Sequence, residues 1–371
     1  MLPFPSAPRR FALLGRWTAC LVAALVIVTG CSRRQPVEEP PVVTVHGGQL
    51  REVVGGPTPI GPTAKLDYTI GDPIVHDNLA IFPVYPKTKP PEMDYLTLDE
   101  ALAQKVLLVE ELPDQQVNRV LVSNRGVKPI YIMAGEIIIG GKQDRTVGKD
   151  TIILPHVEKV ELEVFCVEEG RWEGRREFEA SPAMVPAKIR KAAHVEADQQ
   201  LVWDGVAESR TTLGAPAAGT SYRGVTDSKE AQARVQPYVE ALSARLSQDQ
   251  KAVGAVVAVN GSVVCADVFN DSRLFQKQQR KLVQSYATEA SQQRQTTPVR
   301  QPTTGDAGRF ISEGVNARAA RVEKGQAFET TQREAGGVTA IQTTAPAAAP
   351  APGAPGAAAP QAPVHQSFYR K

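Results

Sequence analysis

The sequence predicts an α+β fold built on a mainly antiparallel β-sheet, and three observations lead there. Short apolar runs bounded by turn residues recur between Leu79 and Glu169. Helical spacing takes over after Pro186 instead of alternating with strands. Asn260-Gly261 stands between two apolar runs as a two-residue hairpin.

Taken in order, Leu79 to Val84 is an apolar run that reads as a strand. Thr97 caps a short helix, and Glu100 completes a capping box. VLLVEEL and NRVLVSN follow as strands, Asn124-Arg125-Gly126 supplies turn residues, and PIYIMAGEIII, TIILP and VELEVFCVEE add further sheet. Pro186 suits a first helical turn, and Ile189, Ala193 and Val195 form a short apolar face. A second helix is expected from Glu196 to Ser209, with Trp203 as core, and a third from Ser228 to Leu246. VGAVVAVNGSVVCADVF returns to strand, and Asp271 caps a last helix carrying Leu274, Phe275, Leu282 and Tyr286. No internal repeat of solenoid period is present.

The two ends of the 371-residue chain differ from this middle. Arg9, Arg10 and Arg16 precede an apolar run from Trp17 to Val28, which is short for a membrane span and suits a signal-peptide core. The run closes on Val28-Thr29-Gly30-Cys31, which resembles the lipobox of bacterial lipoproteins. That resemblance implies cleavage after Gly30, acylation of Cys31 with palmitate among its chains, and anchorage in a lipid bilayer. Several acyl chains bury far more apolar surface than one myristoyl group. Ser32 stands where Asp would signal inner-membrane retention, so the resemblance implies a cell-envelope lipoprotein, at the outer membrane in a Gram-negative cell.

The expected organisation is a signal peptide at 1–30, a flexible Pro/Gly-rich tether at 31–65 and a globular domain at 66–290. A disordered tail, first Gln/Thr-rich and then Ala/Pro-rich, would follow at 291–371. With Cys20 removed and Cys31 acylated, Cys166 and Cys265 remain. An oxidising compartment would let them pair, and two buried free thiols are the alternative. The formal net charge of +2, without any basic stretch interleaved with aromatics, argues against nucleic acid as a partner.

The most distinctive stretch is AGEIIIGGKQDRTV, where Gly135 and Gly140-Gly141 permit positive φ or close backbone approach. Glu136, Lys142, Gln143, Asp144 and Arg145 then gather acid, amide and base, and CVEEGRW adds Glu168, Arg171 and Trp172. Two chemistries fit. Lys142, Arg145 and Arg171 could hold an anion, with Gln143 and Asp144 hydrogen bonding and Trp172 stacking, while Glu136 and Glu168 are candidates for acid/base work. The same residues could instead form a buried ion-pair and amide network that locks two hairpins together.

Other motifs are excluded. The GGK triplet is no phosphate loop, because Glu136 occupies the upstream glycine position and Gln143 the Ser/Thr position. His194-Val195-Glu196 lacks the P-C-x-x-C of zinc deaminases, and His76, His156 and His194 have no short ligand spacing. No G-x-S-x-G elbow is present, and neither a metal nor another cofactor is expected.

GEIIIGGKQDR, CVEEGRW, LVWDGV and VNGSVVCADVF together are similar to the ARG and Rhodanese-Phosphatase-superfamily-associated protein domain, over about Leu66 to Ala290. The name of this domain of unknown function implies association with ADP-ribosylglycohydrolase-like proteins, hence nucleotide or ADP-ribose-type ligands. Three functions follow as expectations: an envelope-anchored module binding an anionic small molecule, a structural or assembly lipoprotein docking another envelope protein, and a hydrolase using Glu136 or Glu168. The sequence orders them so, with an enzyme last.

Overall fold

The computed structural model describes residues 50–51, 68–88, 94–113, 116–170, 177–216, 219–295, 300, 302–325, 327–346 and 361–371. All of these lie in the unit Val45–Lys371. The segment expected to be a signal peptide, Cys31, almost all of the expected tether, Arg171, Trp172 and residues 347–360 lie outside the described residues.

A ten-stranded sheet forms the floor of the domain. Its order is Leu50–Arg51, Arg318–Lys324, Glu329–Ala335, Val338–Pro346, Gln361–Arg370, Ser262–Phe269, Gly254–Val259, Leu79–Pro86 and Tyr68–Ile70, with Ile74–His76 also pairing onto Leu79–Pro86. Every pairing is antiparallel, as expected of an α+β chain joined by hairpins. A six-stranded sheet, ordered Phe178–Met184, Glu136–Gly140, Arg145–Val147, Val160–Cys166, Arg119–Asn124 and Leu107–Glu111, packs over part of it. Ile130–Ile132 and Thr151–Ile153 form a two-stranded ribbon.

The strand Leu79–Pro86 is buried on both faces from Leu79 to Val84, which is why that stretch reads as an unbroken apolar run. Ala80, Phe82 and Val84 meet Phe310 and Ile311 of the helix Thr304–Val315, whereas Leu79 and Ile81 face the helices on the other side. The helix Ser272–Gln292 runs through the interior there, capped by Asp271 as the sequence predicts. It buries Leu274, Phe275, Leu282 and Tyr286, and it also buries Gln278, Lys281, Ser285 and Glu289. Several of those polar groups are met by neighbouring elements: the Ser285 hydroxyl donates to the Val185 carbonyl at 2.7 Å, and the Lys188 amide donates to Glu289 at 3.0 Å.

The capping box at Thr97 and the hairpin at Asn260-Gly261 form as expected. The expected helix from Glu196 to Ser209 is divided. Ala192–Glu196 is a π-helical turn, Ala197 is left-handed at φ 51°, and Asp198 caps a new helix Gln199–Leu213 with both oxygen-directed amide bonds on Oδ1. Trp203 is half-buried on that helix.

The expected disordered tail is corrected. Residues 304–346 and 361–370 form a helix and four strands of the large sheet. Composition misleads because threonine and glutamine are being used as strand residues with a period of two. Val338 and Ala340 pack toward Phe310, while Thr343 turns to the opposite, polar side. Cys166 and Cys265 are buried free thiols, so the pairing alternative is not realised. Burial raises both thiols above their ordinary range.

Candidate functional site

The charged motif folds inward. Glu136 opens a strand at the turn after Met133, where one carboxylate oxygen accepts the Met133 amide at 2.8 Å and the other meets Lys281 at 2.9 Å. Lys281 is shared with Asp99 at 2.5 Å. Burial raises the Glu136 carboxyl above its ordinary value against the pull of Lys281.

Arg145 lies on the neighbouring strand and makes a two-pronged bond to Glu111, at 3.0 and 2.9 Å. Its remaining donors reach the carbonyls of Val117 and Gln143 at 3.1 and 3.3 Å. Glu111 also accepts the Lys142 amide at 2.8 Å, tying the GGK turn to the same carboxylate. Asp144 accepts the Gly140 amide at 3.0 Å and donates its own amide to Glu168 at 3.4 Å. Glu136 and Arg145 are 0% and 1% exposed, and Gln143 and Asp144 are both buried. Lys142 and Glu168 are half-buried. The structure therefore brings together six of the eight motif residues read from the sequence, around Glu111 and Lys281; Arg171 and Trp172 lie outside the described residues.

The motif glycines have structural reasons. Gly135 has φ +91°, and a Cβ there would stand 2.2 Å from Cγ of Arg190, whose stem crosses it. Gly140, at φ +121°, passes 2.2 Å from the Glu177 carbonyl oxygen on the same measure.

Arg190 leads to a second buried array. Its guanidinium bonds Asp267 through both arms at 2.9 and 2.8 Å, and both side chains are completely buried. Asp267 also accepts the Tyr286 hydroxyl at 2.6 Å and the Ser367 hydroxyl at 3.2 Å. His365 stands between two carboxylates: Nδ1 is 2.7 Å from Asp150 and Nε2 is 3.4 Å from Asp267. Asp150 is further bonded by the Ala134 amide at 2.9 Å and the Thr343 hydroxyl at 3.2 Å.

Burial opposes all of these charges, but each partner outweighs it. His365 brings Asp150 down to about 2, and Asp150 with Asp267 lifts His365 to about 9. Arg190 and His365 therefore carry two positive charges against the two negative charges of Asp267 and Asp150, and the array is neutral as a whole. It is sealed, so it joins layers of the domain and offers no entry to a substrate.

Sequence reasoning overlooked this array, although one sign was legible. Asp267 interrupts the apolar run VVCADVF, and a charge in a buried strand requires a partner. His365 and Thr343 gave no comparable sign, because they sit in sequence that resembles a tail by composition.

Two clefts adjoin these networks. One, of about 420 Å3 and next to the motif, is lined by Asp144, Glu168, Arg223 and Asp227, with Arg223 bonded to Asp227 at 3.2 Å. The other, of about 90 Å3, lies over His194 and Thr330. Among the described residues, no group of three His, Cys, Asp or Glu is placed to hold a metal ion, and no helix is long and apolar enough to cross a membrane.

A family model, that of the ARG and Rhodanese-Phosphatase-superfamily-associated Protein domain, matches residues 67–347. The match extends past residue 290 into the strands that the sequence reading had assigned to a tail. No curated protein and no solved structure matches the chain.

Proposed function

We propose a function from one premise: the chain belongs to the ARG and Rhodanese-Phosphatase-superfamily-associated Protein domain family. In this member the domain is a rigid scaffold of the cell envelope, held to the bilayer by acylated Cys31 and available to dock another envelope protein. The observation that carries this reading is the sealing of Glu136, Asp144 and Arg145 into bonds within the domain. Groups already desolvated and paired are stabilising contacts, and a ligand would have to break them.

The cleft beside the motif argues in the same direction. Its described rim carries three carboxylates and one arginine that is already paired, the wrong sign for a nucleotide or ADP-ribose. A hydrolase using Glu136 would need a path to a side chain that has no exposed surface.

The test compares Arg145→Ala with the parent chain in denaturant melts and in a thermal-shift screen against nucleotides, ADP-ribose and sugar phosphates. The variant is expected to lose about 3–5 kcal/mol, toward the lower end because Glu111 keeps some water contact, while no anion shifts the parent. A normal melt for the variant, or a saturable anion response that Arg145→Ala abolishes, overturns the scaffold reading. The anchor is tested separately: a clickable palmitate analogue is expected to label the parent and not Cys31→Ser, which should leave the membrane fraction.

A further inference from the structure

We propose that one end of the smaller sheet is a docking tip for an anionic lipid surface, a second membrane contact beside the acyl anchor. Three loops meet there, at residues 104–106, 124–129 and 154–159, and the fully buried Asn124 ties them together. Its side chain donates to the carbonyls of Lys128 at 2.8 Å and Ile153 at 3.0 Å, and it accepts the Gly126 amide at 2.9 Å. Its own amide donates to the Val157 carbonyl at 2.8 Å, and the Arg125 amide donates to the Val106 carbonyl at 2.8 Å. The loops are thus fixed against one another, and the fold sets what they present outward.

They present apolar and basic side chains. Val127 is 79% exposed, and Leu154, brought near it by the two Asn124 bonds, is 43% exposed. These are two of the four large hydrophobic side chains exposed among the described residues, so such surface is concentrated at this end. Around them Lys105, Arg125 and Lys159 are exposed and make no ion pair among the described residues. Lys128 is held by Asp94 at 2.6 Å, and Glu158 is the acid within the loops. Cations therefore outnumber carboxylates four to two.

The backbone sharpens the case. Lys105, His156 and Lys159 have φ of 57°, 59° and 56°, which makes this end home to three of the six non-glycine residues with positive φ among the described residues. Glycine takes that conformation without strain, whereas a lysine does not. A use for the outward charge accounts for lysines at such turns.

Two aliphatic side chains are little for a protein interface, which takes about 800 Å2 from each partner. They suit a bilayer, where apolar groups enter the boundary between headgroups and acyl chains while lysine and arginine meet anionic headgroups. Such a contact is weak alone, but an anchored chain meets the surface at high effective concentration. Only the nearness of the bilayer is taken from the anchor proposed above.

In the experiment the full chain is mixed with vesicles of phosphatidylcholine, with and without phosphatidylglycerol, whose acyl chains are brominated to quench any indole that enters the bilayer. Val127→Trp places an indole at the tip, and Val75→Trp places one on the strand Ile74–His76 of the larger sheet; each is read against the parent. We expect the indole at position 127 to be quenched at least about fivefold more with phosphatidylglycerol than without it, and to be released by salt. The indole at position 75 should stay unquenched. Arg125→Glu with Lys159→Glu should lower the quenching at position 127 at least about tenfold, with the melting temperature close to the parent's because both side chains are exposed. No quenching at position 127, equal quenching in uncharged vesicles, or equal quenching at both positions overturns the proposal. In cells, a photoreactive benzophenone at position 127 should cross-link to lipid, and cross-links to protein alone overturn the proposal in favour of a protein partner. A chain that takes up palmitate at Cys31 and shows no quenching at position 127 refutes the tip and leaves the anchor standing. Quenching in a chain that takes up no palmitate does the reverse.

Discussion

At the scale of single residues, the domain depends on charges placed where no water reaches them. Arg190 makes the clearest case, because its stem passes over a glycine and its head fills both oxygens of Asp267. Replacing it by alanine strips Asp267 of its main counter-charge, and the loss is expected to be about 3–5 kcal/mol in urea melts. Gly135→Ala should fall in the same direction, since a methyl group 2.2 Å from Arg190 Cγ must push the stem aside. If Gly135→Ala melted like the parent, the close crossing of Arg190 over this turn would be wrong. Glu136→Gln is expected to be milder than Glu136→Ala, because the amide keeps the bond from Met133 and loses only the charge toward Lys281.

At the scale of elements, the strand Gln361–Arg370 carries more than its length suggests. It lies between Val338–Pro346 and Ser262–Phe269, and it delivers His365, Ser367 and Tyr369 to the buried face. A chain ending at residue 360 should lose cooperative melting altogether, since Asp150 and Asp267 would lose His365 and the sheet would open at its middle. A cooperative transition in circular dichroism from that truncation would refute this role. The same strand marks where sequence reasoning failed. Most of the strands, the caps at Thr97 and Asp271 and the Asn260-Gly261 turn were legible because each depends on neighbours in sequence. The pairing of Thr343 with Asp150 is set by residues far apart in sequence, and no local period announces it. Likewise the motif at Glu136 to Arg145 was visible as chemistry, but its inward direction depends on Glu111 and on Lys281 from a distant helix.

At the scale of the whole molecule, these buried charges set how stability responds to pH. His365 is lifted from 6.5 to about 9, so its contribution is complete below about 6.5 and is lost as pH rises through about 9. Glu136 and Glu289, raised by burial, act in the same sense but from just above the ordinary carboxylate value, and the cation Lys281 keeps its contribution until pH exceeds its ordinary 10.5. Asp150 works in the opposite sense: held at about 2, it contributes above the ordinary carboxylate value and fails only as pH falls through about 2. The melting temperature should therefore be lower at pH 9.5 than at pH 6.5, and a level profile between those values would contradict the charge state assigned to His365.

The position of the strand Gln361–Arg370 also has a temporal meaning. Ribosomes make this segment after every other described element, yet it occupies the middle of the sheet. The domain is thus unable to close until that segment has been made, and the elements that precede it stay pliable until then. Stalled chains ending at residue 360 should be digested rapidly by protease, and chains that include residues 361–371 should resist.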